Sequence, residues 1–180
     1  MCLVDLGHHL PNTNIEMIVS RLIDLKKLGG FHFNDSKFGD DDLDAGSINP
    51  YELFLIFNEL TVASQNNKIS NISYMIDQSH NVTDPIESLI LSANEIVNSY
   101  AKSLLVNYSL LEKSQDGNDA IQSMQILKTA FNTDVSPIVA MARFENGNSI
   151  NPINTYRTLD YKNDKSLKRK NKSGSSSGIV

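Results

Sequence analysis

Histidines and aspartates occur together at three places in the chain. The three places are Asp5 with His8 and His9, His32 with the acidic loop that follows it, and Asp77 with His80. The loop contains five aspartates: Asp35, Asp40, Asp41, Asp42 and Asp44. Imidazole nitrogen combined with carboxylate oxygen is a ligand set for Mn²⁺, Mg²⁺, Co²⁺ or Zn²⁺. The residue types therefore predict a divalent-metal site, if the fold brings the three places together.

Each of the three places adjoins a short apolar run that is typical of a β-strand: 2–4, 31–33 and 72–76. A helical pattern follows each run, which gives three βα units in about 110 residues. Short apolar strands without clean alternation predict an α/β fold with a parallel sheet covered on both faces. In such folds ligands bind at the carboxyl ends of the strands. Turn-capping aspartates and singly hydrogen-bonded histidines would explain one such place, whereas three strand ends together favour a metal site.

Helix signals place the remaining elements. A capping box, Thr13 with Glu16, and the pair Gly29-Gly30 predict the start and stop of a first helix. Asn49-Pro50 and Asp84-Pro85 predict the starts of two more, the second running to about residue 111. Residues 117–132, 136–146 and 151–160 also have helical patterns. All seven glutamates fall in predicted helices: Glu16, Glu52, Glu59, Glu87, Glu95, Glu112 and Glu145.

Charge is distributed unevenly along the 180 residues, whose formal net charge is −5. Residues 162–172 hold six of the sixteen basic side chains, so residues 1–161 keep ten basic against twenty acidic ones. An acidic body disfavours nucleic-acid binding and suits a cation site. The run 162–180 is expected to be a solvated basic tail, with a targeting or nucleic-acid role as the alternative.

The sequence lacks the signals of several other classes of protein and of metal site. The sequence has no run of ~18 apolar residues and no visible signal peptide, so no membrane association is expected. A single cysteine, Cys2, precludes an intramolecular disulfide and favours a reducing, cytoplasmic setting. An EF-hand fails because Ala45 and Tyr51 stand where the loop needs Gly and Glu. Lys37 could contact a substrate or could neutralise the acidic loop.

Three segments carry a resemblance to a known family. Residues 4–16 (VDLGHHLPNTNIE), 29–50 (GGFHFNDSKFGDDDLDAGSINP) and 76–89 (IDQSHNVTDPIESL) closely resemble the C-terminal half of the L-rhamnose isomerases of the broad-specificity, xylose-isomerase-like type. The resemblance covers residues 2–160. It implies a metal-dependent aldose–ketose isomerase of carbohydrate catabolism, an intramolecular oxidoreductase that shifts hydrogen between C1 and C2 of L-rhamnose or a related aldose. The implied fold is a (β/α)₈ TIM barrel with extra C-terminal helices, typically assembled as a homotetramer.

The resemblance also implies a two-ion site, with Mn²⁺ as the expected ion and Co²⁺, Mg²⁺ or Zn²⁺ as alternatives. The implied ligands of a structural, substrate-binding ion are Asp5, His32 and Asp77. Those of the catalytic ion are His8, Asp40 and Asp42. Asp77 and Lys37 are the candidate substrate contacts. Four ligand aspartates carry a charge of −4, which would balance two divalent cations.

The family pattern is not complete in this chain. A barrel needs eight strands and roughly 250 residues, and the chain has signals for three strands. The family's bridging glutamate, and the lysine two residues beyond it, lie on a preceding strand. We therefore expect 1–112 to be a partial TIM barrel (strands six to eight), 113–161 a helical extension and 162–180 a disordered basic tail. The missing N-terminal barrel half would be a required partner; the alternatives are an inactive fragment or another xylose-isomerase-like sugar isomerase or epimerase.

Overall fold

The fold contains one parallel sheet. The computed structural model of the chain describes residues 1–79 and 82–172. Its strands are β1 (Cys2–Asp5), β2 (Leu28–Phe33) and β3 (Ser73–Ile76), and they pair in this order. The predicted α/β class and the positions of the three strands are therefore confirmed for this part of the chain.

A helix follows each strand, and five more helices follow the third of these in the described part of the chain. They are α1 (Ile15–Asp24), α2 (Pro50–Gln65), α3 (Pro85–Ser103), α4 (Tyr108–Asp116), α5 (Ala120–Phe131), α6 (Ser136–Glu145), α7 (Pro152–Thr158) and α8 (Tyr161–Lys172). Asn49 and Asp84 cap α2 and α3 as predicted, each before a proline. All seven glutamates lie in helices, also as predicted. Among the described residues, no helix combines the length and the apolar character needed to cross a bilayer.

The boundaries of α1 differ from the prediction. Asn14, rather than Thr13, caps the helix by accepting a hydrogen bond from the backbone N–H of Met17. Gly29 and Gly30 do not stop the helix but lie in β2. A side chain on Gly30 would put its Cβ 2.8 Å from a backbone oxygen of β3, so this glycine permits the close approach of the two strands.

Two segments in the C-terminal half of the chain also differ from the prediction. The helix predicted to run to about residue 111 ends at Ser103, and α4 begins after a short turn. Residues 161–172 form α8 where a disordered tail was expected. An ion pair one helical turn apart, Lys168 Nζ to Asp164 Oδ2 at 2.6 Å, contributes to this exposed helix. The remainder of the expected tail, 173–180, lies outside the described residues.

The two faces of the sheet are unequal. Val4, Phe31 and Phe33 are buried against the helices, and Phe33 stacks on Phe57 of α2 with ring centroids 5.7 Å apart. On the opposite face Leu3 and Met75 are 49% and 47% exposed. The expectation that both faces are covered is therefore wrong for the described part of the chain, because its helices pack on one side only.

A second apolar cluster connects α2 to the C-terminal helices. Its buried members are Phe54, Val106, Leu111, Ile126 and Ala130. At its border the hydroxyl of Tyr108 lies 2.9 Å from Asn58 Oδ1 and 2.8 Å from the carbonyl oxygen of Ser103. This hydroxyl ties the start of α4 to α2 and to the end of α3.

Replacing Tyr108 by phenylalanine is expected to destabilise the fold by about 1–2 kcal/mol, because the buried Asn58 oxygen loses its donor. Burial raises the pKa of Tyr108 from 10.0 to about 12. Since the native pKa is raised, the stabilisation is complete below pH 10 and is lost as the pH rises through 12. Urea unfolding at pH 8 and pH 11.5 should show a smaller difference between wild type and variant at the higher pH. Tyr161→Phe, on the exposed α8, serves as the control and should leave the free energy of unfolding unchanged.

Candidate metal centre

The strand register sets the position of the first predicted ligands. Asp5 pairs with His32, and His32 pairs with Met75 on β3. Because side chains alternate along a strand, Asp77 lies on the same face as Met75, two residues earlier. Asp5, His32 and Asp77 therefore meet at the carboxyl ends of the three strands, on the face opposite the helices.

These three side chains form a first donor cluster. Nδ1 of His32 lies 2.9 Å from Asp5 Oδ2 and 3.1 Å from Asp77 Oδ2. One ligand atom from each residue lies within 4.8 Å of the others. The structure therefore brings together the set that the resemblance implies for the structural ion.

A second donor cluster contains Asp5, His8 and Asp42, whose ligand atoms also lie within 4.8 Å of one another. Nε2 of His8 lies 3.9 Å from both Asp5 Oδ2 and Asp42 Oδ1, and 3.0 Å from Asp40 Oδ1. The six predicted ligands thus occupy one region. Asp5 belongs to both clusters, whereas sequence reasoning assigned it to the first alone.

The acidic loop reaches the second cluster through an unusual backbone conformation. Gly39, Asp40 and Asp42 have φ values of 118°, 55° and 48°. Aspartate is among the few residues that tolerate the left-handed region. The loop turns sharply there, so that both Asp40 and Asp42 approach His8.

Asn34 is a site residue that sequence reasoning missed. It directly follows β2 and is 1% exposed. Its Nδ2 donates hydrogen bonds to Asp5 Oδ1 at 2.9 Å and to Asp42 Oδ1 at 3.0 Å, and its Oδ1 accepts one from the N–H of Gly7. Asn34 therefore orients one carboxylate of each cluster. Its only sequence signal is its position at a strand end, because a search for histidine and carboxylate ligands passes over an amide.

Two other aspartates of the loop, Asp35 and Asp41, stabilise backbone turns. Asp35 accepts hydrogen bonds from two backbone N–H groups just before α2, both at 2.9 Å. Asp41 accepts from the N–H groups of Phe38 and Lys37, and these bonds lower the pKa of its carboxyl. The turn-capping interpretation is therefore correct for Asp35 and Asp41, whereas Asp40 and Asp42 face His8.

Three further side chains were singled out from the sequence. The Lys37 ammonium lies 5.3 Å from the centroid of the Phe38 ring. Lys37 and His9 border a separate cavity of about 170 Å³. Neither side chain is part of the two donor clusters, so substrate contact by Lys37 stays a prediction. His80 lies outside the described residues.

The electrostatics of the site fit a bound cation. Burial raises the pKa of Asp42, and the neighbouring carboxylates of Asp40 and Asp5 raise it further. The ionised form of Asp42 is thus disfavoured by desolvation and by like charges, and a cation would reverse both effects. Imidazole nitrogens and carboxylate oxygens are donors suited to a divalent first-row metal or Mg²⁺.

Replacing Asp42 by asparagine is expected to stabilise the metal-free chain at pH 7, raising the unfolding midpoint on the order of a few degrees. Because the native pKa of Asp42 is raised above 3.8, its charge opposes folding once the pH exceeds that pKa. The gain should therefore disappear at a pH below the ordinary carboxyl value. Calorimetric melts of both chains at pH 7 and pH 3 measure it. A lower midpoint of the variant at pH 7 would show that the Asp42 carboxylate stabilises the metal-free fold.

Comparisons with known proteins extend over the whole chain. No family model matches it. The chain is 61% identical over 180 residues to a protein of Mesorhizobium japonicum named a probable sugar isomerase, a match that covers 99% of this chain and 42% of that relative. It is 56% identical over 182 residues to a probable sugar isomerase of Rhizobium meliloti, with the same coverage. The chain therefore spans about two-fifths of the length of the curated relatives it matches.

Proposed function

We propose that this chain carries the metal-binding part of an aldose–ketose isomerase of the L-rhamnose isomerase type. The observation that carries the proposal is the pair of donor clusters joined by Asp5 at the carboxyl ends of three parallel strands. The similarity to two proteins named probable sugar isomerases supports the choice of reaction. In the full catalytic unit the three strands would be part of a TIM barrel, acting in the cytoplasm as a homotetramer.

Two divalent ions, Mn²⁺ in the first place, are the proposed cofactors. Asp5, His32 and Asp77 would hold one, and His8, Asp40 and Asp42 would hold the catalytic one, with Asp5 between them. Bound ions would polarise the hydroxyl and carbonyl oxygens of the open-chain sugar, whose hydrogen shifts between C1 and C2.

The exposure of the candidate ligands supports a direction of approach for the sugar. Asp77 and Asp40 are 60% and 73% exposed, while Asp5 is only 16% exposed. In the described chain the side of Asp77 and Asp40 is the open one, and we infer that the sugar hydroxyls would approach from there. Asn34 holds Asp5 and Asp42 from the buried side, which would leave their other lone pairs free to bind ions.

A chimera tests the reaction. The chain is fused, in the order of the relative, to the part of the Mesorhizobium japonicum protein that it does not match. We expect Mn²⁺-dependent conversion of L-rhamnose to L-rhamnulose, and loss of this activity in His8→Ala. A folded chimera that takes up Mn²⁺ but converts no aldose to its ketose would overturn the proposed function.

A further inference from the structure

Four polar side chains form a network between the acidic loop, the segment after β3 and helix α3. They are Asp44, Gln78, Ser88 and Ser92, which we call the α3 network. Gln78 Nε2 donates to Asp44 Oδ1 at 2.6 Å and to Ser88 Oγ at 3.0 Å, and its Oε1 accepts a hydrogen bond from Ser92 Oγ at 2.5 Å. The hydroxyl of Ser88 also donates to Asp44.

The network is buried where it meets the helix. Ser88 and Ser92 are 1% and 0% exposed. Ser92 Oγ additionally accepts a hydrogen bond from the backbone N–H of Ala45 at 3.1 Å. Burying polar groups is costly unless they are paired, and a fully paired network fixes one geometry more strictly than apolar contacts do. The α3 network therefore holds its two attached segments in a defined relative position.

Those two segments carry candidate ligands of different clusters. Asp44 lies two residues after Asp42, and Gln78 directly follows Asp77. The backbone N–H of Ser79 donates to the carbonyl oxygen of Asp42 at 2.7 Å, which closes a ring of contacts between the segments. A shift of the α3 network would thus move Asp42 relative to Asp77.

We propose that the α3 network is a positioning device that sets the acidic loop so that Asp42 completes the second donor cluster. The inference rests on the proposed function, because it assigns a purpose to residues behind the proposed ion ligands. The network residues act through Asp42 and the loop backbone and do not themselves join the donor clusters. Breaking the network should weaken the binding of the ion at the second donor cluster and leave the binding at the first unchanged. It should also make the acidic loop more mobile in the metal-free chain.

The test compares two buried serines of one helix. Ser92→Ala removes a network hydrogen bond, and Ser99→Ala, two turns further along α3, is the matched control because Ser99 is also buried (4% exposed). In the metal-free chain we expect amide exchange of Ser79 and Ala45 to be at least tenfold faster in Ser92→Ala and unchanged in Ser99→Ala. In Mn²⁺ titrations followed by electron paramagnetic resonance, Ser92→Ala should bind the ion of the second donor cluster at least tenfold more weakly than wild type does. Its affinity for the ion of the first donor cluster should be unchanged.

Substitutions of the network residues outside α3, Asp44 and Gln78, give an independent test. Asp44→Asn keeps an Oδ1 acceptor for Gln78 and Ser88 and should behave like wild type, whereas Asp44→Leu and Gln78→Leu should behave like Ser92→Ala. Folded Ser92→Ala and Gln78→Leu chains with wild-type exchange and wild-type binding of both ions would overturn the positioning role. A wild-type chain that binds no Mn²⁺ would instead overturn the proposed function, and the metal-free exchange comparison would still decide whether the network holds the loop.

Discussion

Asp5→Asn is expected to abolish the binding of both Mn²⁺ ions, the largest effect of any single substitution in the chain. Oδ2 of Asp5 lies 2.9 Å from His32 Nδ1 and 3.9 Å from His8 Nε2, so this one atom serves both clusters. Asparagine has the same shape and keeps an oxygen for Asn34, and the fold should therefore persist. Loss of a shared ligand costs several kcal/mol, which corresponds to a fall in activity on the order of 10³-fold or more in the chimera.

Isothermal titration calorimetry with Mn²⁺ measures the number of ions that the chain binds. Asp24→Asn is the control, because Asp24 is an exposed carboxylate that pairs with Lys68 away from the site. We expect two ions for wild type and for Asp24→Asn and none for Asp5→Asn at the same concentrations. Two ions of unchanged affinity in Asp5→Asn would contradict the shared role of Asp5.

His32→Ala is expected to remove the first ion and to leave the second. Its Nδ1 lies within 3.1 Å of carboxylate oxygens from both Asp5 and Asp77, and alanine has no atom that could bind a metal in its place. Asp77→Asn should have the same selective effect. Because the first ion is proposed to hold the sugar, the activity of the chimera should fall by orders of magnitude in both variants.

His9→Ala is the matched control for His32→Ala. His9 is the neighbour of His8 in sequence, but its side chain borders the separate cavity with Lys37. We expect His9→Ala to bind two ions and to keep most of the activity. Equal losses in His9→Ala and His32→Ala would refute the ligand assignment and indicate a general effect of removing imidazole groups.

The sequence was sufficient to predict the three strands from local signals, whereas the set of six candidate ligands follows from the family resemblance and stays a prediction. Short apolar runs defined β1, β2 and β3, and the parallel arrangement placed their carboxyl ends together. Residue type alone indicated a metal site of histidines and aspartates at the strand ends, without fixing which of them bind. The joint position of Asp5 in two clusters depends instead on the register of β1 with β2 and on the loop reaching back to His8. No local pattern encodes that register.

Residues whose role depends on tertiary contacts were the ones misjudged. Gly30 was predicted to stop a helix, but it lies in a strand and allows the close approach of β3. Asn34 has no metal-ligand chemistry of its own, and only its contacts with Asp5 and Asp42 reveal its function. Gln78 and Ser92 likewise form their hydrogen bonds only because α3 packs beside the acidic loop.

Crystals of the chain soaked in Mn²⁺ and recorded near the manganese absorption edge would test the central claim most directly, since anomalous scattering locates each ion. The account predicts two peaks, one bounded by Asp5, His32 and Asp77 and the other by Asp5, His8 and Asp42, with Asp40 on the outer side of the second. Well-ordered side chains at both clusters with no anomalous peak between them, or peaks only at other carboxylates, would contradict it.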